Sequence, residues 1–372
     1  MADLFDYMLW RGDLPFGRDG LNEVDNLILC RAAYLPFDGV VPGSMEKKIT
    51  LGQAVRALLA QLELEGRLCM EMDLRLCRAL AECPRFAELP VLGYENCVDP
   101  ARELQFSAVV FALTPDTYFI AFRGTDNTIV GWKEDFNMSF CTPVPAQLEA
   151  VRYLERCAAA LPGALIPGGH SKGGNLAVYA SAFAPPEVQK RISAVYSNDG
   201  PGFAQAVLET DGYLAVCERI RSYVPQSSVV GMLLAHEEDY TIVKSNQVSI
   251  WQHDLYSWEL MGRSLTALDK VTNSSLFIDR TLKEWLAGLT AEQREKFVDG
   301  VFYLLSQTNA STFNELNASR MANIALVIKS AAGLDEETRG HILYALGRLI
   351  QATRGNLGAF LPRFAAKKDE NP

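Results

Sequence analysis

The chain has 372 residues, 49% of them hydrophobic, enough to bury a sizeable core without staples and to form two domains or one large one with appendages. A formal charge of −10 with no long basic run excludes a surface that tracks nucleic-acid phosphates and sets most of the protein against anionic membranes. The eight cysteines (Cys30, Cys69, Cys77, Cys83, Cys97, Cys141, Cys157 and Cys217) include no CxxC pair; this speaks against a zinc cluster and reads as small buried hydrophobes in a reducing compartment.

In chain order, "MADLFDYMLWRGDLPF" carries acids where a signal peptide needs a basic and then an apolar run. Nowhere do enough apolar residues follow one another for a membrane span, so the expectation is a soluble, cytoplasmic protein. Residues 1–45 include "NEVDNLILCRAAYLPFDGVV", whose apolar spacing at Val24, Leu27, Ile28 and Ala32 predicts a core-facing helix. Residues 46–90 read as a helical insertion, from "TLGQAVRALLAQLELEG" through "RLCRALAEC". Leu58, Leu59, Leu62 and Leu64 there either line an acyl pocket under a cap or help cover a face of the sheet.

From about residue 102 the pattern alternates. Strand-like "LQFSAVVFAL" and "TYFIAFRG" precede the helix "PAQLEAVRYLERCAAAL", with Leu148, Val151, Leu154 and Ala158 on one face. The strand "ALIPGG", the helix "GGNLAVYASAFA" and the strands in "ISAVYSND", "RIRSYVP" and "DYTIVKS" follow. Alternating strands and helices imply right-handed crossovers, hence an α/β fold with a mainly parallel sheet covered on both faces. The section from Ser264 shows no strand signal and reads as amphipathic helices ("LFIDRTLKEWLAGL", "EKFVDGVFYLLSQT", "ANIALVIKSAAGL", "TRGHILYALGRLIQA"). The expected organisation is a core over 1–263 carrying the insertion, a helical region over 264–365, and a charged tail over 366–372. No internal repeat is visible.

Within the alternating part, "GGHSKGGNLAVYA" (168–180) contains Gly169-His170-Ser171-Lys172-Gly173, a G-x-S-x-G pattern between a strand and a helix. In that context the pattern predicts a sharp turn that presents Ser171 as a nucleophile, with glycines two before and two after so that strand and helix can approach. The helix N-terminus then places N–H groups and the positive end of a dipole beside the serine oxygen, where charge develops in acyl transfer. A phosphate loop needs other glycine orders, which are absent.

A second stretch, "FIAFRGTDNTIVGWKEDF" (119–136), ends a strand and opens a polar loop. With "AFRGTD…GW..DF" followed by "GHSKGGNLA", residues 102–256 resemble the class 3 (fungal-type) lipases of the α/β-hydrolase fold. The N-terminal "YMLWRGDL…NEVDNLIL", with "SNDGPGF" and "QHDLYSW", is similar to a little-characterised bacterial family of lipase-like hydrolases, the Mbeg1-like proteins. The resemblance implies Ser171 as nucleophile and the Lys172 N–H with Thr125 (backbone and hydroxyl) as the oxyanion hole. Arg123 and Asp135 would hold the loop by ion pairing. Class 3 lipases usually carry leucine where this chain has Lys172, whose ammonium either meets an anionic group of the substrate or pairs with a neighbouring acid.

A serine needs a base, and only four histidines exist. His170 lies in the turn, pointing away from the serine if strand alternation holds, and His341 sits among the C-terminal helices. His253, beyond the last strand of the alternating part, is favoured over His236, which precedes it. The acid position after the seventh strand in class 3 lipases leads here into "SYVPQSSVVGML", which has no carboxylate. Asp199, at the end of the preceding strand, is the choice, as in pancreatic-type lipases; Asp239 in "HEEDY" is the reserve, and an Asx turn before Gly200-Pro201 is the plain alternative. The expected function is hydrolysis of small-molecule or lipid carboxylic esters through an acyl-enzyme on Ser171, with no cofactor, no metal and no nucleic-acid partner. Two other readings stay open: a non-catalytic binding or regulatory protein on a degenerate hydrolase fold, and a metal-dependent hydrolase using His236, Glu237 and Glu238.

Overall fold

The computed structural model of the chain describes residues 2–126, 128–308, 323, 326–327, 329–331 and 333–360. Before the main strands come α1 (Leu4–Arg11), α2 (Glu23–Ala32), the short β1 (Ile49–Thr50), α3 (Leu51–Leu59), α4 (Leu64–Arg67), α5 (Met72–Glu82) and α6 (Pro84–Ala87). Asp3, Asn22 and Thr50 start α1, α2 and α3 with reciprocal capping boxes, satisfying N–H groups that have no intrahelical acceptor. Val24, Leu27, Ile28 and Ala32 are fully buried, as their spacing predicts. Burial of each of the three larger side chains contributes about 1.5–3 kcal/mol.

β2 (Pro90–Asp99), β3 (Leu104–Thr114) and β4 (Thr117–Phe122) form an antiparallel meander. β4, β5 (Ala164–His170), β6 (Val195–Asn198), β7 (Ile220–Pro225) and β8 (Tyr240–Val243) then run parallel. A two-stranded hairpin of β9 (Leu260–Met261) and β10 (Ser264–Leu265) is followed by β11 (Ala267–Leu268), which pairs antiparallel with β8. The main sheet has the order β1-β2-β3-β4-β5-β6-β7-β8-β11. It is therefore mixed, parallel only from β4 to β8, because the short β2–β3 and β3–β4 links permit hairpins and not crossovers. β2 escapes the sequence pattern because its alternation is broken by an irregularity between Leu92 and Glu95, where Gly93 takes φ 66°. β10 and β11, of two residues each, are too short to show a period, so strands continue past Ser264 where only helices were expected.

Side chains alternate across the sheet. Val109, Phe111, Phe119 and Ala121 face a core shared with α1, α2, α3 and α5. Phe106, Ala108, Val110, Ile120 and Phe122 face a second core. The helices between β4 and β8 are α7 (Ile129–Asn137), α8 (Pro145–Ala160), α9 (Lys172–Phe183), α10 (Pro186–Gln189), α11 (Gln205–Leu208) and α12 (Asp211–Cys217). All but α7 contribute to that second core, α8 and α9 the most. The inward face of α8 is Ala146, Ala150, Tyr153, Leu154 and Cys157, whereas Leu148 is exposed. Tyr153 sets this phase: its ring packs on Phe106 and Phe122 and its hydroxyl donates to the Gly93 carbonyl at 2.7 Å. Leu58 and Leu64 are buried in the first core and Leu62 is fully exposed, the face-covering arrangement.

Beyond the sheet, α13 (Asn273–Ala287), α14 (Ala291–Ser306) and α15 (Glu336–Phe360) pack on one another, and α14 packs on α7. Residues 322, 324, 325, 328 and 332 of "ANIALVIKSAAGL" (322–334) and the tail over 366–372 lie outside the described residues.

Candidate active site

Between β5 and α9, Ser171 adopts φ 58° and ψ −133°, a conformation that costs a non-glycine residue about 1–3 kcal/mol. The neighbourhood imposes it: the Ser171 N–H donates to the Asn198 carbonyl at 3.0 Å, and its own carbonyl accepts the Gly174 N–H at 2.9 Å. A Cβ on Gly169 would lie 2.1 Å from the Gly173 carbonyl, and one on Gly173 would lie 2.1 Å from the Phe122 carbonyl oxygen. Strand, turn and helix therefore approach to backbone contact, and the serine stands at the C-terminal edge of the parallel strands. The Lys172 N–H, in the first turn of α9, has no intrahelical acceptor.

The loop after β4 lies against this turn. A Cβ on Gly124 would meet the Tyr34 hydroxyl oxygen at 2.3 Å, the His170 carbonyl oxygen at 2.5 Å and Ser171 Cβ at 3.1 Å. Arg123 pairs with Asp126 at 2.9 Å and donates to Asn96 at 3.1 Å. Asp135 does not join that pair; its Oδ2 accepts the Thr125 hydroxyl at 2.5 Å. Burial pushes the Asp135 carboxyl up to about 6, against the pull of the Lys172 ammonium and the Thr125 hydrogen bond.

The Lys172 side chain turns inward and is buried. Its Nζ donates to the Gln105 carbonyl (3.0 Å) and side-chain Oε1 (2.8 Å) and to Glu134 Oε2 (2.9 Å), with Asp135 Oδ1 at 3.7 Å. Of the two destinations open to this ammonium in the sequence, it takes the neighbouring acid.

Asp199 follows β6 with φ 50° and is 1% exposed. Its Oδ1 accepts the Ser228 hydroxyl at 2.5 Å and the Gly231 N–H at 3.1 Å, and its Oδ2 lies 2.6 Å from His253 Nδ1. The stretch after β7 that lacks a carboxylate thus supplies two donors to the carboxylate of the preceding strand. An ionised Asp199 fixes the proton on His253 Nδ1 and leaves Nε2 as an acceptor.

His253 is held from behind as well. His170 Nε2 lies 2.8 Å from the His253 carbonyl, so it is the protonated nitrogen, and His170 Nδ1 accepts from the Tyr34 hydroxyl at 3.1 Å. The two imidazole rings are 4.4 Å apart. Burial, with the His253 and Arg31 charges nearby, holds His170 well below its ordinary 6.5, so it is neutral. The Tyr34 ring carries the Arg31 guanidinium 4.5 Å from its centroid, and Arg31 makes a two-pronged pair with buried Asp73 at 2.7 and 2.6 Å. Among the described residues no hydrogen bond joins the Ser171 hydroxyl to His253; such a contact commonly tightens on substrate binding.

The alternative pair falls elsewhere. His236 Nδ1 lies 3.0 Å from Glu238, which also accepts the Tyr213 hydroxyl at 2.5 Å, while Asp239 and Glu237 are exposed. His341 is near Glu337. Among the described residues no three His, Cys, Asp or Glu side chains are grouped to hold a metal ion, and no helix is long and apolar enough to cross a membrane.

A family model described as Mbeg1-like matches residues 80–303, a span that contains Ser171, Asp199, His253, Thr125 and Lys172. The chain belongs to the Mbeg1-like family. This family member is also similar to two solved lipases. The structure of Rhizomucor miehei lipase in its native propeptide complex is 16% identical with a TM-score of 0.34, covering 53% of this chain and 70% of that one. The crystal structure of M37 lipase is 12% identical with a TM-score of 0.33, covering 56% and 68%. No curated protein matches the chain.

Several residues of this Mbeg1-like site escape sequence reasoning. Tyr34, Gln105, Glu134, Ser228 and Gly231 carry no motif, and each meets the turn or Asp199 across tens of residues. The carbonyls of Pro201 and Gly202 accept the side chain of Asn175, tying the segment after Asp199 to α9.

Proposed function

We propose that the chain is a serine hydrolase of carboxylic esters, esterase- or lipase-like, on an α/β-hydrolase fold. Its core would take in the residues up to β11, which closes the main sheet at Leu268, with the helices from α13 onward as an appended region. The observation that carries this reading is the buried Asp199 carboxylate 2.6 Å from His253 Nδ1, beside a serine held at φ 58°. Ser171 Oγ attacks the ester carbonyl while His253 Nε2 takes its proton, and Asp199 stabilises the imidazolium. The oxyanion is met by the N–H groups of Thr125 and Lys172. His253 returns the proton to the departing alcohol; water, deprotonated by the same nitrogen, then releases the acid and restores Ser171.

Small-molecule or lipid esters are the substrate class, and eight unpaired cysteines support a reducing, cytoplasmic setting. A panel of p-nitrophenyl and lipid esters tests the reading. The wild type should turn over at least one member, and Ser171→Ala should lose that turnover; equal rates in both would overturn it.

A further inference from the structure

We propose that the Thr125 hydroxyl is a proton-gated third donor to the oxyanion, with Asp135 as its gate and Lys172 as the residue that positions the gate. The inference rests on the hydrolase reading above. Three carboxylate or amide groups crowd one ammonium: Glu134, Asp135 and Gln105 around Lys172 Nζ. Glu134 is fully provided for, since its Oε1 accepts the Ala146 N–H at 2.7 Å and its Oε2 accepts the Gln105 N–H at 3.0 Å besides Lys172. Asp135 is the less well served acid. Among the described residues its Oδ1 is buried without a hydrogen-bond partner, 3.7 Å from Lys172, and only the Thr125 hydroxyl donates to the carboxylate. Asp135 is half-buried, with its Oδ1 inward; of two carboxylates that share one cation, the one with fewer donors takes up a proton first.

That proton decides what Thr125 can do. An ionised Asp135 has no hydrogen, so the 2.5 Å contact must be Thr125 O–H donating to the carboxylate, and the single hydroxyl proton is consumed. A protonated Asp135 donates to Thr125 Oγ instead, and the hydroxyl proton is released to turn toward the reacting centre. Thr125 belongs to the loop that meets the serine turn, since it follows Gly124, where a Cβ would lie 3.1 Å from Ser171 Cβ. Protonation also removes a negative charge from beside the developing oxyanion. The charged and titratable groups facing Asp135 are Lys172 from α9, Glu134 from α7, His253 and, from the turn after α2, the Tyr34 hydroxyl. The carboxyl pushed up to about 6 puts the change within the pH range of an assay.

Asp135→Asn mimics the open gate at every pH. The Lys172 ammonium draws the amide oxygen to the Oδ1 side, so the NH₂ faces Thr125 Oγ and donates to it. Measured on the full chain with a p-nitrophenyl ester and a fluorophosphonate, Asp135→Asn should raise kcat near pH 8 on the order of tenfold, with KM little changed; one oxyanion donor is worth on the order of 10² to 10³. The gain should vanish in Asp135→Asn with Thr125→Val. Thr125→Val alone should lose more rate, relative to wild type, below pH 6 than near pH 8. Lys172→Met should move that crossover to higher pH, which a merely structural lysine would not do. If Asp135→Asn does not fold, the Thr125→Val ratio decides. A ratio flat with pH, or a folded Asp135→Asn no faster than wild type near pH 8, overturns the inference alone. A wild type inert to every ester and to the label overturns the hydrolase reading with it.

Discussion

Replacing Asp199 by Asn should cost far more than the change of one atom suggests. Oδ1 accepts from the Ser228 hydroxyl and the Gly231 N–H, and the latter cannot reverse its direction. The asparagine carbonyl must therefore take the Oδ1 place, which turns the NH₂ toward His253 Nδ1 across the 2.6 Å gap. Two donors would collide unless His253 moves its proton to Nε2, and an imidazole in that tautomer cannot accept the proton of Ser171. Flipping the amide back strands the Gly231 N–H against a donor, costing about 1–3 kcal/mol. Loss of the charged hydrogen bond to the imidazolium costs about 1.5–3 kcal/mol more. At 1.36 kcal/mol per tenfold, the acylation rate should fall by about 10² to 10⁴. Stopped-flow release of p-nitrophenol in the first turnover measures that step directly. A folded Asp199→Asn that acylates within tenfold of wild type would refute the reasoning, and more so if Asp239→Asn, at an exposed position, proved the more damaging change.

Other outcomes follow from the same contacts. Gly173→Ala places a Cβ 2.1 Å from the Phe122 carbonyl, so it should lower stability by at least about 1–3 kcal/mol in a thermal melt and abolish turnover; a wild-type Tm would contradict the close approach. His170 is held neutral in the folded chain but takes up a proton in the unfolded one below its ordinary 6.5, so stability contributed by this site should fall as pH drops through that value, by up to about 1.4 kcal/mol per pH unit. In urea melts at several pH values His170→Gln should remove that component of the slope; an unchanged slope would deny it. Rate against ester concentration should saturate smoothly across the solubility limit, as for an esterase acting on dissolved substrate, whereas a sharp rise once droplets appear would indicate a lipase lid.

What the sequence made legible was local. Helix α2 shows its apolar spacing within ten residues, although nine of them are buried, Asp25, Asn26 and Arg31 included. The turn at Ser171 shows its glycines within two positions, although the Phe122 carbonyl that crowds Gly173 comes from β4. The face expected for α8 holds at Leu154, with Val151 and Ala158 half-buried against the core, but fails at Leu148, because an alanine-rich helix offers several faces and Tyr153 chooses among them through residues on β2, β3 and β4. β2 was hidden by its own irregularity. At the site, residue types narrowed the choices for base and acid, but the partners that hold them come from afar: Tyr34 meets His170 across 136 residues, and Lys172 meets Gln105 across 67. Such pairings depend on the order in which strands assemble, which no periodicity encodes.

The most direct measurement of the central claim is mass spectrometry of the chain after reaction with a fluorophosphonate. The hydrolase reading predicts a single phosphonyl adduct, formed with loss of fluoride and located on the peptide that contains Ser171, and no adduct in Ser171→Ala. Labelling of another residue, or equal labelling of wild type and Ser171→Ala, would contradict it.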